Sequence, residues 1–73
     1  MDVRTKELIA IGASVTANCQ PCFKYHVGKA RENGAGDEEI KEAIAMAKKV
    51  QNGAMSQMDE LIPTVFADTN AKV

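Results

Sequence analysis

Two cysteines and one histidine lie close together in the sequence, at a spacing that could carry thiol chemistry. Cys19 and Cys22 are separated by two residues, and His26 follows Cys22 by four. Residues three or four positions apart face each other on an α-helix, so a helix through this segment would bring both sulfurs and the imidazole together. His26 is the only histidine in the chain, so no other imidazole could exchange a proton with a thiol near neutral pH.

Pro21 places the start of a helix at this pair. Proline is favoured at the beginning of a helix, so we predict that the second helix starts near Gln20 or Pro21. The positive end of a helix lowers the pKa of a thiol and raises its reactive thiolate fraction. A nucleophilic thiol, a second thiol that can resolve it and a base are what peroxide reduction or disulfide exchange requires.

Glu7 could support this group, because it stands twelve residues before Cys19 on a predicted first helix. Its carboxylate could orient the imidazole or relay a proton if the first two helices fold back on each other or meet across subunits.

Other interpretations of the cysteine pair have less support, and two of them remain open. A c-type haem site needs a histidine directly after the second cysteine, where Phe23 stands, and a thioredoxin-like site needs a preceding strand that we do not find. Buried packing of two cysteines remains an alternative. So does a zinc site built from Cys19, Cys22, His26 and Glu7, although there is no second CxxC and no HxxxH.

The pattern of apolar residues predicts three helices and an all-α fold. The first covers residues 3–18, and the second ends at Asn33 and Gly34, where the glycine suits a left-handed cap. Asp37 is the predicted N-cap of the third helix. Gly53 could kink or end that helix, a further turn or two could follow before Pro63, and we expect a loosely ordered tail from about residue 63. The apolar stripe of the third helix comprises Ile40, Ala43, Ile44, Ala47 and Val50, and the methionines Met46, Met55 and Met58 are interpreted as core filler.

The first helix has apolar or small residues on all its faces, including Ile9, Ala10, Ala13 and Ala17. A helix that is apolar all round is normally buried all round. One short chain has too few residues to cover every face of such a helix, so the sequence predicts a homo-oligomer.

Length and composition limit the classes of protein to which the chain can belong. With 73 residues, 45% of them hydrophobic, it has room for one domain. A net charge of −1 and three aromatic residues disfavour nucleic-acid binding. Residues 1–7 lack the apolar run of a secretory signal, and the uncharged segment 8–23 is too short and too polar to cross a bilayer. We therefore expect a cytoplasmic protein with no membrane partner.

Three runs of residues resemble a known family. They are ELIA at residues 7–10, CQPCFKYH at residues 19–26 and GAGDEEIKEA at residues 34–43. Their order and spacing are similar to those of the AhpD-like / carboxymuconolactone decarboxylase family, over roughly residues 7–50. The decarboxylase branch generally lacks the cysteine pair, so the pair favours redox chemistry.

The resemblance implies a single three-helix AhpD-like unit over residues 1–73, which packs into a homo-oligomer, with a hexamer or trimer favoured. It implies Cys22 as the thiol that attacks a peroxide, Cys19 as the resolving thiol nearer the surface, and Glu7 and His26 as a proton relay. It also implies a hydroperoxide substrate, a dithiol or lipoyl-type protein reductant, and no cofactor.

The sequence thus predicts a thiol-dependent peroxidase or disulfide oxidoreductase that reduces alkyl hydroperoxides through Cys19 and Cys22. The alternative is a non-enzymatic redox-sensing or scaffold module, in which the same pair forms a reversible disulfide. A metal-binding protein is a further alternative.

Overall fold

The computed structural model describes residues 1–67, and this part of the chain consists of three α-helices without a strand. Helix α1 covers Val3–Thr16, α2 covers Gln20–Glu32 and α3 covers Asp37–Ala67. Helix α1 lies between the other two and packs against both, whereas α2 and α3 make little contact with each other. The predicted all-α class and the order of its three helices are confirmed.

Both interhelical connections are closed by the same kind of cap. After α1, Asn18 adopts a left-handed φ of 56°, and the Cys19 N–H donates to the Ser14 carbonyl at 2.9 Å. After α2, Gly34 has a φ of 90°, and the N–H that follows it donates to the Ala30 carbonyl at 2.9 Å. These are Schellman motifs, which reverse the chain while satisfying the last carbonyls of a helix. The predicted left-handed cap at Gly34 is therefore confirmed, and a matching cap precedes the cysteine pair.

The core is small and lies where all three helices meet. Ile11 has no exposed surface and is the only large side chain buried completely among the described residues. Gly12 lies where α1 meets α3, and a Cβ atom there would be in ordinary contact with the Ala43 carbonyl oxygen, at 3.6 Å. The core contains Ile11, Ala30, Ala35 and Ile40, with Leu8, Phe23, Val27, Ala43 and Ile44 packed around it.

Helix α1 begins with a side-chain cap that the sequence pattern did not indicate. The carboxylate of Asp2 accepts a hydrogen bond of 2.7 Å from the Thr5 N–H. This bond from the backbone of Thr5 stabilises the ionised carboxylate and holds the pKa of Asp2 below its usual value. In the single chain α1 is not covered on every face, since Ile9 is 54% exposed, in line with the expectation that one short chain cannot bury this helix completely.

The start of α3 differs by one residue from the prediction. Gly36, not Asp37, caps the helix, since its carbonyl accepts the Ile40 N–H at 3.1 Å and its own N–H donates to the Glu39 carboxylate at 3.2 Å. The Glu39 side chain thus makes the backward half of a capping box, in which the Asp37 side chain takes no part. Asp37 instead lies 3.3 Å from the guanidinium of Arg31 and pairs the end of α2 with the start of α3.

Helix α3 is longer than the sequence indicates, because it continues through Gly53 and Pro63 to Ala67. A glycine inside a helix costs only about 1 kcal/mol relative to alanine. Pro63 removes one backbone hydrogen bond near the exposed end of the helix, where water can reach the carbonyl it leaves unpaired. The expected loose tail is therefore wrong for residues 63–67, and its remainder lies outside the described residues.

The second half of α3 extends away from the core, and we call residues 52–67 the arm. Every residue of the arm is exposed, and the described chain measures 57 × 20 × 20 Å. Apolar arm residues continue the helix face on which Ile40 and Ala47 are buried, since they recur at intervals of three and four. They are Met55, Met58, Leu61, Ile62, Val65 and Phe66, each between 48% and 70% exposed.

Over residues 1–67, no helix combines the length and apolar character that a membrane span requires.

Candidate redox site

The cysteine pair lies at the junction between α1 and α2. Cys19 is the N-cap of α2, with its carbonyl accepting the Phe23 N–H at 3.0 Å, and Cys22 lies in the first turn. A disulfide joins the two residues, with their Cα atoms 5.3 Å apart. Pro21 occupies the first turn as predicted, where its missing N–H leaves no helix bond unmade. The local sequence thus places two sulfurs within bonding distance at the positive end of a helix.

His26 and Glu7 form the cross-helix contact of the site. The Nδ1 atom of His26 on α2 lies 2.5 Å from a carboxylate oxygen of Glu7 on α1, and the side chains are 29% and 18% exposed. An ionised carboxylate can only accept a hydrogen bond, so Nδ1 carries the hydrogen in this pair. This tautomer leaves Nε2 as the ring atom that can accept a proton. The ring of the adjacent Tyr25 lies nearly perpendicular to the imidazole, with centroids 5.0 Å apart.

Cys22 and His26 share one face of α2, because they stand one helical turn apart. In the single chain Cys22 is exposed and Cys19 is partly buried. This order is the reverse of the expectation that Cys19 lies nearer the surface. The physical reason is the cap after α1, in which the Cys19 backbone folds against Ser14, while no other helix of the described chain covers Cys22.

An open groove of about 500 Å³ adjoins the cysteine pair on the side of Cys19. Its apolar lining comes from Val15, Phe23 and Ile44, one residue from each helix, and its charged lining consists of Lys24 and Lys48. Sequence reasoning missed this groove, because its members are scattered over three helices and form no local motif. The remaining lining residues are Ser14, Asn18, Cys19, Gln20 and Gln51.

The four residues considered as zinc ligands form a different arrangement in this structure. Glu7 and His26 are paired with each other, and the sulfurs of Cys19 and Cys22 are joined. Within residues 1–67, no three His, Cys, Asp or Glu side chains converge in a way that could hold a metal ion. The arrangement instead brings together a dithiol–disulfide pair and a carboxylate–imidazole pair.

Comparison with known proteins identifies the family of this chain. The sequence pattern of the carboxymuconolactone decarboxylase family matches residues 1–54. The chain belongs to this family. The resemblance of residues 7–50 is thereby confirmed, and the family match contains Glu7, Cys19, Cys22 and His26. Most of the arm lies beyond the matched region.

A relative from Paracoccus denitrificans, named "Uncharacterized protein 4 in cox locus", is 43% identical to this family member over 54 residues. The aligned segment covers 74% of the chain and 49% of the relative, so the chain spans about half the length of that relative. No solved structure matches the chain.

Proposed function

We propose that this carboxymuconolactone decarboxylase family member is a thiol-dependent peroxidase or disulfide oxidoreductase, cycling between a dithiol and the Cys19–Cys22 disulfide. The observation that carries the proposal is the junction of α1 and α2. There, a disulfide at a helix start lies one turn from an imidazole that a carboxylate of the neighbouring helix orients. The proposed substrate is an alkyl hydroperoxide.

In the first step, Nε2 of His26 takes the proton of the Cys22 thiol. The Cys22 thiolate then attacks the terminal oxygen of the hydroperoxide, forming a sulfur–oxygen bond as the oxygen–oxygen bond breaks. The leaving alkoxide takes the proton from the imidazolium and departs as an alcohol. Glu7 supports this transfer because its carboxylate holds the ring through Nδ1 and stabilises the positive charge.

In the second step, Cys19 resolves the sulfenic acid on Cys22. Its sulfur attacks the Cys22 sulfur, the hydroxyl leaves with the Cys19 proton as water, and the disulfide forms. The two residues are neighbours in one helical turn, with Cα atoms 5.3 Å apart in the oxidised form. Either a dithiol or a lipoyl-type protein returns the pair to the reduced state by thiol–disulfide exchange.

We also propose that the chain works as a homo-oligomer, with a trimer or hexamer favoured, in which the arm packs against a second copy. An apolar groove of about 460 Å³ between α1 and α3 offers a complementary surface. Its lining includes the small residues Gly12, Ala13 and Ala47, which allow another helix to approach closely. The arm carries an exposed apolar stripe beyond this groove, so one molecule presents both a projecting helix and a place to receive it.

Steady-state turnover with an alkyl hydroperoxide and a dithiol reductant tests the proposed activity. Cys22→Ser should abolish turnover, whereas Cys19→Ser should react once and leave a sulfenic acid that mass spectrometry detects after trapping. Full turnover by Cys22→Ser would disprove the assignment of the attacking thiol. Wild-type protein whose disulfide forms reversibly but without fast hydroperoxide turnover would favour a redox sensor instead.

A further inference from the structure

The groove beside Cys19 is placed to receive a reactant of the disulfide rather than of the Cys22 thiol. Cys19 belongs to the groove lining, and Cys22 does not. A thiolate held in the groove therefore lies beside Cys19 and not beside Cys22. Attack on the Cys19 sulfur makes Cys22 the leaving group, and His26 stands one turn away from it to supply a proton.

The charge available in the groove is positive. Lys24 and Lys48 are exposed members of the lining, and neither forms an ion pair with any residue between 1 and 67. No acidic residue lines the groove. Two of the polar side chains are already engaged, since Ser14 donates to the Ala10 carbonyl at 2.7 Å and Gln51 donates to the Val15 carbonyl at 2.8 Å.

An apolar strip with two unpaired ammonium groups fits a molecule that combines a hydrocarbon chain with an anionic end. The chain can cover Val15, Phe23 and Ile44, and the anion can lie between the lysines. We propose that this groove binds an anionic dithiol reductant, with its carboxylate held by Lys24 and Lys48 and its thiolate directed at Cys19.

The exchange conserves atoms and electrons between the reductant and the disulfide. The reductant thiolate forms a bond with the Cys19 sulfur, the Cys19–Cys22 bond breaks, and Cys22 leaves as a thiolate that takes a proton from the His26 imidazolium. The second thiol of the reductant, as thiolate, then attacks its own sulfur in the mixed disulfide. Cys19 is released as a thiolate that takes up a proton, and the reductant becomes a cyclic disulfide. This inference rests on the proposed function, because a protein that cycles through a disulfide needs a reductant. The opening of the disulfide can nevertheless be measured by itself.

Dihydrolipoate and dihydrolipoamide test this proposal, because they carry the same dithiol and differ in having a carboxylate or a neutral amide. The measurement is the rate at which each opens the disulfide of the oxidised protein without peroxide, followed by alkylation and mass spectrometry. Wild-type protein should prefer dihydrolipoate, and the preference should fall about tenfold in the double variant Lys24→Gln and Lys48→Gln, as expected for two exposed ion pairs. Added salt should also lower the preference of the wild-type protein for dihydrolipoate.

Lys49→Gln is the matched control, because it removes the same charge from the neighbouring exposed position of α3 outside the groove. It should leave the preference unchanged. An equal preference in wild-type protein and the double variant, or a disulfide that neither reductant opens, would overturn the inference. Lysine-dependent opening without hydroperoxide turnover would support the inference while the proposed peroxidase activity fails. Turnover with dihydrolipoamide but no lysine dependence would overturn the inference while the proposed peroxidase activity stands.

Discussion

At the scale of single residues, the contact between Glu7 and His26 connects fold and proposed chemistry. It joins α1 to α2 between residues 19 positions apart. Both side chains are largely covered, which strengthens a charge-assisted hydrogen bond relative to one in bulk water. The same contact therefore fixes the imidazole tautomer and helps to hold α2 against α1.

Substitution of this pair should separate the base from the residue that orients it. His26→Gln should lower hydroperoxide turnover about 100-fold, because the proton acceptor of Cys22 is lost. Glu7→Gln keeps an oxygen that accepts from Nδ1 but loses the negative charge, so we expect a smaller loss of about fivefold. Initial rates with a fixed reductant measure both effects. A larger loss in Glu7→Gln than in His26→Gln would contradict the assigned roles.

Asp2 should give a pH-dependent contribution to stability. The bond from the Thr5 backbone holds the pKa of Asp2 below the value of 3.8 that an unperturbed aspartate has. The contribution is therefore present above pH 3.8 and is lost as the pH falls through the lower folded-state pKa. Asp2→Ala should lower the Tm by about 4 °C at pH 7, and the difference should become smaller in acid, where the protonated carboxyl loses its charge but keeps an accepting oxygen. Thermal melts across this range measure it, and Asp2→Asn, which keeps the accepting oxygen, should lose the pH dependence but retain most of the cap. A difference that persists unchanged in acid would refute this account.

Much of the candidate site follows from local sequence rules. The spacing of Cys19, Cys22 and His26, with Pro21 at the helix start, predicts their common place on α2, because helical periodicity determines which neighbours share a face. Glu7 could be suggested but not placed, since its contact depends on how α1 packs against α2. The groove with Lys24 and Lys48 was not predictable, because only the packing of three helices creates it.

At the scale of helices, the caps determine where the elements begin and end. Gly34 was readable as a left-handed cap because glycine adopts positive φ without a Cβ clash. Asn18 plays the same part before the cysteine pair but was not identified, since asparagine is less selective for that conformation. The continuation of α3 through Gly53 and Pro63 was not predicted, because both residues disfavour a helix. Their cost in free energy is small enough for a long helix to continue through them.

The two glycines provide a paired test of these conformations. Gly34→Ala forces a Cβ into a left-handed residue and should lower the free energy of unfolding by about 1–2 kcal/mol. Gly53→Ala lies in the helical arm with no atom within 4 Å of the new Cβ, so it should raise that free energy by about 1 kcal/mol. Urea denaturation with a common m value measures both. Changes of the same sign in the two variants would show that α3 is not helical at residue 53 or that Gly34 is not left-handed.

At the scale of the whole molecule, the described chain has a compact end and a projecting end. The candidate redox site and the core occupy the compact end, and the arm carries apolar residues without a partner in the described chain. Exposed apolar surface of this extent is typical of an interaction site. The sequence pointed to self-association from the apolar faces of α1, whereas the larger uncovered surface is on α3.

Charged substitutions on the arm test the proposed assembly. Met58→Glu with Leu61→Glu places two carboxylates in the apolar stripe and should shift the protein to a monomer, because burying unpaired charges is unfavourable. Asn52→Glu with Ser56→Glu adds the same charge to the polar face and should leave the oligomer intact. Sedimentation equilibrium measures the mass of each. Wild-type protein that sediments as a monomer at micromolar concentration would remove the basis of this proposal.

The disulfide has a further consequence, because it joins residues only three positions apart at the start of one helix. A cross-link restricts an unfolded chain more strongly when it closes a longer loop, and this one ties no two helices together. The folding free energy and the oxidation state of the protein are therefore only weakly linked. Reduction should change the chemistry available at the start of α2 while leaving its packing on α1 in place, as the proposed repeated turnover requires.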